Sequence, residues 1–347
     1  MSKIRLGFVG VGGMGQAAHL RNYLTLPDCE VVAVAEVRPK LAAAVAARYG
    51  IPKVYAGHRA LLAAESLDGI VAIQQFTMHA DLIPDLLEKG VPILTEKPLA
   101  DSVEGGQKIL AAAKTAKAPL YLAYHKRSDP ATTYTKKQLD AWLTTSEVGK
   151  LRYIRVAMPP GDWSAQGFSQ LIHTDEKYEA KAVDYNAPYL SFVNYYIHQI
   201  NLIRFLLGED YKVISADPTG VTLTLLSDSN IAGTLEMATH QTTLDWQEEA
   251  FIAFERGWIK LELPAPLAID RPGRVTVFRD PGKGESPTTT TPTLPWIHAM
   301  RQQATNFLKA IKGEPNPLCS AADGLKDLQV AEQYIQLLTE SKKKFLP

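Results

Sequence analysis

The feature that most constrains this chain is a glycine-rich turn, Gly10-Val11-Gly12-Gly13-Met14-Gly15, set between an apolar run and a segment of helical spacing. Ile4-Arg5-Leu6-Gly7-Phe8-Val9 reads as a buried strand and Gln16 to Leu26 as the helix. Such a unit brings backbone close to a pyrophosphate and aims the N–H groups of a helix start at its charge. Gly10, Gly12 and Gly15 fit G-x-G-x-x-G, with Gly13 and Met14 completing the turn. Glu36 follows Gly15 by 21 residues, at the end of the β-rich run Glu30 to Ala35. From there a carboxylate accepts hydrogen bonds from a ribose diol. It also repels a 2′-phosphate, which favours NAD; Arg38 is suited to pair with that phosphate, so NADP stays open.

The same alternation continues. Helices are expected at Pro39 to Tyr49, Ala80 to Lys89 and Ser102 to Lys114, and strands at Gly69 to Ile73, Pro92 to Thr95 and Leu120 to Ala123. Residues 1–125 therefore read as a doubly wound parallel sheet, a Rossmann dinucleotide-binding domain. Residues 126–347 read as a second domain built around an antiparallel sheet with one face buried. It begins with a helix from Pro130 to Thr144 and a strand from Leu151 to Met158. Alternating apolar residues then mark strands at Val221 to Leu225, Ile231 to Met237, Trp258 to Leu263 and Arg274 to Phe278. Ser286 to Pro292 reads as a mobile loop, and helices from Trp296 to Lys312 and Ala321 to Lys344 close the chain.

Composition narrows the function classes. Lys plus Arg and Asp plus Glu each number 37, so the chain lacks the basic excess that phosphate neutralisation requires, and nucleic acid is not the expected partner. Cys29 and Cys319 are too far apart in sequence to announce a disulfide framework or a zinc knuckle. No run reaches the roughly 18 apolar residues of a membrane span, and the glycines near the N-terminus make a poor signal-peptide core. A cytoplasmic protein without a metal site is the expectation.

The segment Leu86 to Ala100 contains Thr95-Glu96-Lys97-Pro98-Leu99 and resembles the Glu-Lys-Pro signature of the glucose-fructose oxidoreductase, inositol dehydrogenase and rhizopine catabolism (Gfo/Idh/MocA) family. His125 to Pro130, Glu147 to Leu151, Phe251 to Leu263 with Gly257 at the turn, and Gly313-Glu314-Pro315 match in order, so the resemblance spans nearly the whole chain. It implies that residues 126–347 form a substrate-binding and oligomerisation α/β domain with a large, open, mainly antiparallel sheet. It implies NAD(P)-linked hydride transfer on a sugar, cyclitol or related polyol, and a homo-oligomer, dimer or tetramer. It also implies that Lys97 touches both substrate and cofactor, that Gln74, His79 and Glu96 lie along the cofactor, and that a cis bond can precede Pro98.

The family's catalytic helix carries an Asp and, four residues on, a His; here these positions hold Asn194 and His198. On a continuous helix residues 194, 198, 201 and 205 share a stripe, so Asn194, His198 and Asn201 are expected to face one site. His198 is then the proton acceptor, Lys97 the alkoxide stabiliser and Asn194 an orienting amide. Asn194 and Asn201 stand where the family has acids, Gln74-Gln75 replace its usual Thr-Pro, and Tyr189-Leu190 replace its glycine pair. An amide orients a histidine without taking its proton, so Asp162 and Asp184 are alternative acids. His125, Arg127 and Trp163, with Tyr124 and Tyr185, are candidates for the substrate wall. Two other readings stand beside the dehydrogenase or reductase: a glycosidase working by transient oxidation and elimination on bound NAD, and a dinucleotide-dependent sensor without chemistry.

Overall fold

The computed structural model describes residues 2–178 and 183–346. These form two compact units, each built from three stretches of chain. The first joins the chain up to Tyr124 with Gln166–Asn194 and Met300–Leu328, and the second holds His125–Ala165, Tyr195–Ala299 and the chain from Gln329. A single cut after residue 125 does not describe these units, because the C-terminal chain returns to the first sheet. Cys319–Ser320 pairs antiparallel with Tyr121 and Leu122, and Ala304, Phe307 and Leu308 of the helix Ala299–Ile311 enter the first unit's core.

The first unit's sheet runs, edge to edge, through Cys319–Ser320, Leu120–Leu122, Ile93–Thr95, Gly69–Ala72, Ile4–Val9, Cys29–Ala35 and Lys53–Tyr55. Apart from Cys319–Ser320 every pairing is parallel. Every residue of Gly69–Ala72 and Ile93–Thr95 is buried, as a parallel sheet covered on both faces requires. Strand order reverses between Ile4–Val9 and Gly69–Ala72, so a crevice opens at their carboxyl ends, where Gly10 and Gln74 stand. The expected strand and helix positions hold to within a few residues. Lys53–Tyr55 and the helix His58–Ala64 were not anticipated, since an edge strand this short with two exposed residues leaves no periodic signal.

The second unit carries an eight-stranded sheet in the order Thr288–Thr290, Arg274–Arg279, Gly257–Glu262, Glu249–Phe254, Leu151–Ala157, Ala232–Glu236, Thr222–Ser227 and Tyr211–Ala216. One pair, Ala232–Glu236 with Leu151–Ala157, is parallel and the rest are antiparallel. One face is core: Ala250, Ile252, Ile259, Leu261 and Val275 are buried, in step with the period of two read from sequence. The other face carries Phe251, Trp258 and Phe278, with neighbouring ring centroids 5.7 Å apart.

Two expectations need correction. Thr288–Thr290 is not loop but an edge strand paired with Val277–Arg279; its β-branched threonines suit the pleat and donate to a free edge. The helix expected through Asn194 and His198 is broken. Pro188–Tyr195 and Ile197–Leu207 are separate helices, parted at Tyr196 with φ −89° and ψ −2°.

Candidate active site

The glycine turn sits where the crevice opens. Gly10 has φ +89°, and a Cβ there would lie 2.3 Å from the Ile73 carbonyl oxygen; one on Gly15 would lie 2.6 Å from the Gly10 oxygen. Neither backbone atom can yield, so these two positions must be glycine. The following helix opens at Gly13 and Met14, widens into π-type turns over Gly15–Leu20 and continues as α over Arg21–Tyr23, ending short of the expected Leu26.

Glu36 is 5% exposed and folds back over this turn. One oxygen accepts from the Arg38 backbone N–H (3.2 Å) and Nε (2.8 Å), the other from the Val11 N–H (3.1 Å) and Arg38 Nη2 (3.0 Å). Burial pushes its carboxyl up, but these donors outweigh burial and hold it below the usual carboxylate range. Gln74 donates through Nε2 to the Val9 carbonyl, while its Oε1 is buried with no hydrogen-bond partner among the described residues. A buried acceptor at the crevice, beside a helix start at Gly13, fits a ligand carrying hydroxyl donors and a diphosphate.

The Glu-Lys-Pro turn follows the strand Ile93–Thr95, and its Lys97–Pro98 bond is cis. His79, expected along the cofactor, is fully buried, with Nδ1 at 3.1 Å from the Pro98 oxygen and 3.2 Å from the Leu99 oxygen, so it fixes the backbone of the turn. Burial pushes its imidazole pKa down, which keeps it neutral. Glu96 accepts from the Lys97 N–H at 3.1 Å and lies 2.6 Å from Nε2 of His19, a residue the sequence reading did not single out. This pair ties the glycine helix to the Glu-Lys-Pro turn. Lys97 Nζ donates to the Asn194 backbone oxygen at 2.6 Å. That carbonyl is among the last four of the helix Pro188–Tyr195, where an ammonium meets the negative end of the helix dipole. Lys97 and Asn194 therefore meet, through the Asn194 main chain and not its amide.

Burial raises the Glu96 carboxyl, and His19 and Lys97 more than offset it, leaving a depressed pKa. Its stabilising contribution is thus complete above the ordinary carboxylate value of about 4.3 and disappears as pH falls through the depressed native value. Thermal melts should show Glu96→Gln less stable than wild type by about 2 kcal/mol at neutral pH, with the gap closing below about pH 4. A gap that stays constant down to pH 3 would contradict this assignment.

In the second unit His125 and His198 meet edge to face, with centroids 5.0 Å apart. Arg127 is buried and donates through Nε to Asn201 Oδ1 at 2.7 Å, with its guanidinium 5.0 Å from the Phe205 ring centroid. Asn201 thus serves Arg127, and the expected stripe of Asn194, His198 and Asn201 does not exist as one helical face. Gln199, next to His198, donates to buried Glu248 at 2.8 Å, and Glu248 pairs with buried Lys126 at 2.5 Å, anchoring the helix that carries His198. His125 and Lys126 also line a small cavity with Asp129 and the loop around Pro264 to Ala268. Trp163 is 36% exposed. Asp162 accepts from the Ser164 N–H and hydroxyl and the Ala165 N–H, and Asp184 from the Asn186 N–H, so both alternative acids close turns. Tyr185 has its hydroxyl 3.4 Å from Gln75 Oε1.

Among the described residues no group of three or more His, Cys, Asp or Glu is placed to hold a metal, and no helix is long and apolar enough to cross a membrane. Residues 4–124 match the family model described as an oxidoreductase family with an NAD-binding Rossmann fold. The chain is 22% identical over 353 residues to inositol 2-dehydrogenase of Rhizobium meliloti (strain 1021), covering 98% of each. Its fold is shared with scyllo-inositol dehydrogenase from Lactobacillus casei (TM-score 0.70, 16% identity, 98% and 97% of the chains). It is shared as well with an oxidoreductase from Agrobacterium radiobacter solved with NAD+, L-tartaric acid and magnesium (TM-score 0.71, 16% identity, 97% of each chain). The glycine turn and the Glu-Lys-Pro turn both lie within residues 4–124, the stretch that carries the NAD-binding Rossmann domain of the Gfo/Idh/MocA oxidoreductase family.

Proposed function

We propose that this protein is an NAD(P)-dependent dehydrogenase or reductase that moves a hydride between nicotinamide and a secondary alcohol of a cyclitol, sugar or related polyol. The observation that carries the reading is Lys97, whose ammonium is held on the Asn194 carbonyl just beyond the carboxyl end of Ile93–Thr95, in the sheet whose strand Ile4–Val9 leads into the glycine turn. Gly10, Gly12, Gly13, Met14 and Gly15 would hold the pyrophosphate, Glu36 and Arg38 the adenosine ribose, and Gln74 a ribose hydroxyl at its unsatisfied oxygen. Both oxygens of Glu36 already accept two hydrogen bonds, so a ribose diol exchanges for contacts now made by Arg38.

When bound, nicotinamide supplies hydride acceptance and return. The protein's task is the proton and the charge. Lys97 stabilises the alkoxide as it develops, a preorganised charge that needs no reorganisation during the reaction. His198 takes the hydroxyl proton in oxidation and returns it in reduction. Asn194, unable to take a proton, orients a substrate hydroxyl, and His125, Arg127 and Trp163 form the hydroxyl-recognising wall. The relatives named as inositol dehydrogenases make cyclitols the first choice of substrate. The test is a panel of cyclitols, aldoses and ketoses with both dinucleotides, followed by NADH or NADPH absorbance. Polyol-dependent dinucleotide reduction is expected; a silent panel, or sugar release from a glycoside without net reduction, would reject the reading.

A further inference from the structure

We propose that Glu176, far from the glycine turn in sequence, is a specificity residue: its carboxylate holds the anion-binding start of the helix beside the adenosine ribose, and so selects NAD against NADP. The proposal rests on the dinucleotide reading of the crevice.

The donors at that helix start can be counted. Arg38 is the residue before Pro39–Tyr49 and gives no side-chain cap. Pro39 has no N–H, and the Ala42 N–H bonds the Arg38 carbonyl at 2.9 Å. Two donors of the first turn are left, Lys40 and Leu41. Both go to Glu176, at 3.0 Å to Oε1 and 2.9 Å to Oε2. A single carboxylate therefore takes up the positive end of this helix. The Thr174 hydroxyl donates to the same Oε2 at 3.1 Å, which fixes the carboxylate's orientation.

The segment carrying Glu176 is tied down independently at the glycine turn. Gln16, 3% exposed, accepts from the Ile172 N–H at 2.9 Å and donates to the Ile172 oxygen at 3.2 Å and the Val11 oxygen at 3.0 Å. This segment thus runs as a strap from the phosphate turn to the helix that follows Arg38, all within the first unit.

A 2′-phosphate on a ribose at Glu36 needs donors from the residues after the second strand. Here Arg38 spends its fork on Glu36, and the helix N–H groups are spent on Glu176. Arg38 is held protonated first by its bond to Glu36, with the field of Glu176 adding to it. A dianionic phosphate entering there would meet two carboxylates, whereas a 2′-hydroxyl needs only an acceptor on Glu36. Sequence reading left NAD and NADP open between Glu36 and Arg38; Glu176 adds a second acid on the NAD side.

The experiment is calorimetric titration of NAD+ and NADP+ into the full chain as wild type, Glu176→Gln, Glu176→Ala and Asp175→Asn. Wild type should prefer NAD+. Glu176→Gln keeps an oxygen for one N–H, so its melt should stay cooperative, and it should tighten NADP+ about tenfold or more while NAD+ moves less than about threefold. Glu176→Ala should shift the ratio in the same direction. Asp175→Asn, which breaks only an exposed pair with Lys40, should leave the ratio within about threefold. An unchanged ratio in folded Glu176 variants, an equal shift in Asp175→Asn, or a wild type that prefers NADP+ would overturn the assignment of Glu176 alone. Binding of neither dinucleotide to wild type would overturn the crevice reading and this proposal together.

Discussion

Replacing Lys97 by methionine should cut turnover about 10³-fold while NAD+ binding stays within a few-fold of wild type. Methionine keeps the length of the stem but removes the charge that the developing alkoxide requires. The fold should survive, because Glu96 keeps its pair with His19 and the Asn194 carbonyl that loses a donor lies near a helix end, where water can replace it. Polyol-dependent NADH formation and calorimetric NAD+ binding on the same preparation separate the two effects. Turnover within tenfold of wild type would remove Lys97 from the chemistry.

The second large effect is expected at His198. His198→Asn keeps a polar side chain but no group that titrates near neutrality, and kcat should fall about 10²- to 10⁴-fold. The pH profile is the sharper readout. In wild type, polyol oxidation should weaken toward acid pH because the proton acceptor must be unprotonated, and this limb should flatten in the variant. An unchanged profile at reduced rate would make His198 a packing partner of His125 and not a proton acceptor.

What the sequence made legible was what local chemistry dictates. The glycine turn, the run ending at Glu36 and the alternation of the second sheet all rest on neighbours within a few residues, and the structure places them as expected. Contacts between distant stretches were hidden. His19 and Glu96 are 77 residues apart, and Gln16 and Ile172 are 156 apart; no spacing rule joins such pairs. The break at Tyr196 escaped notice because Asn194-Tyr195-Tyr196-Ile197 holds neither Gly nor Pro, so the helical period ran through it unchecked. That break also explains why Asn201 was misplaced. Once the stripe is cut, its amide answers to Arg127 and not to the position of Asn194. His79, implied as a cofactor neighbour by the family resemblance, is buried against the Pro98 and Leu99 carbonyls and the Thr95 hydroxyl, contacts that no local spacing announces.

The roles proposed for Lys97 and His198 put both groups on one hydroxyl in one transition state. A double-mutant cycle on kcat/KM, with Lys97→Met, His198→Asn and the pair, tests this most directly. Groups that serve the same proton and charge transfer fail together, so the double variant should be little slower than the slower single one. Losses that multiply across the cycle, with each variant still binding NAD+, would show two independent roles and contradict the shared site.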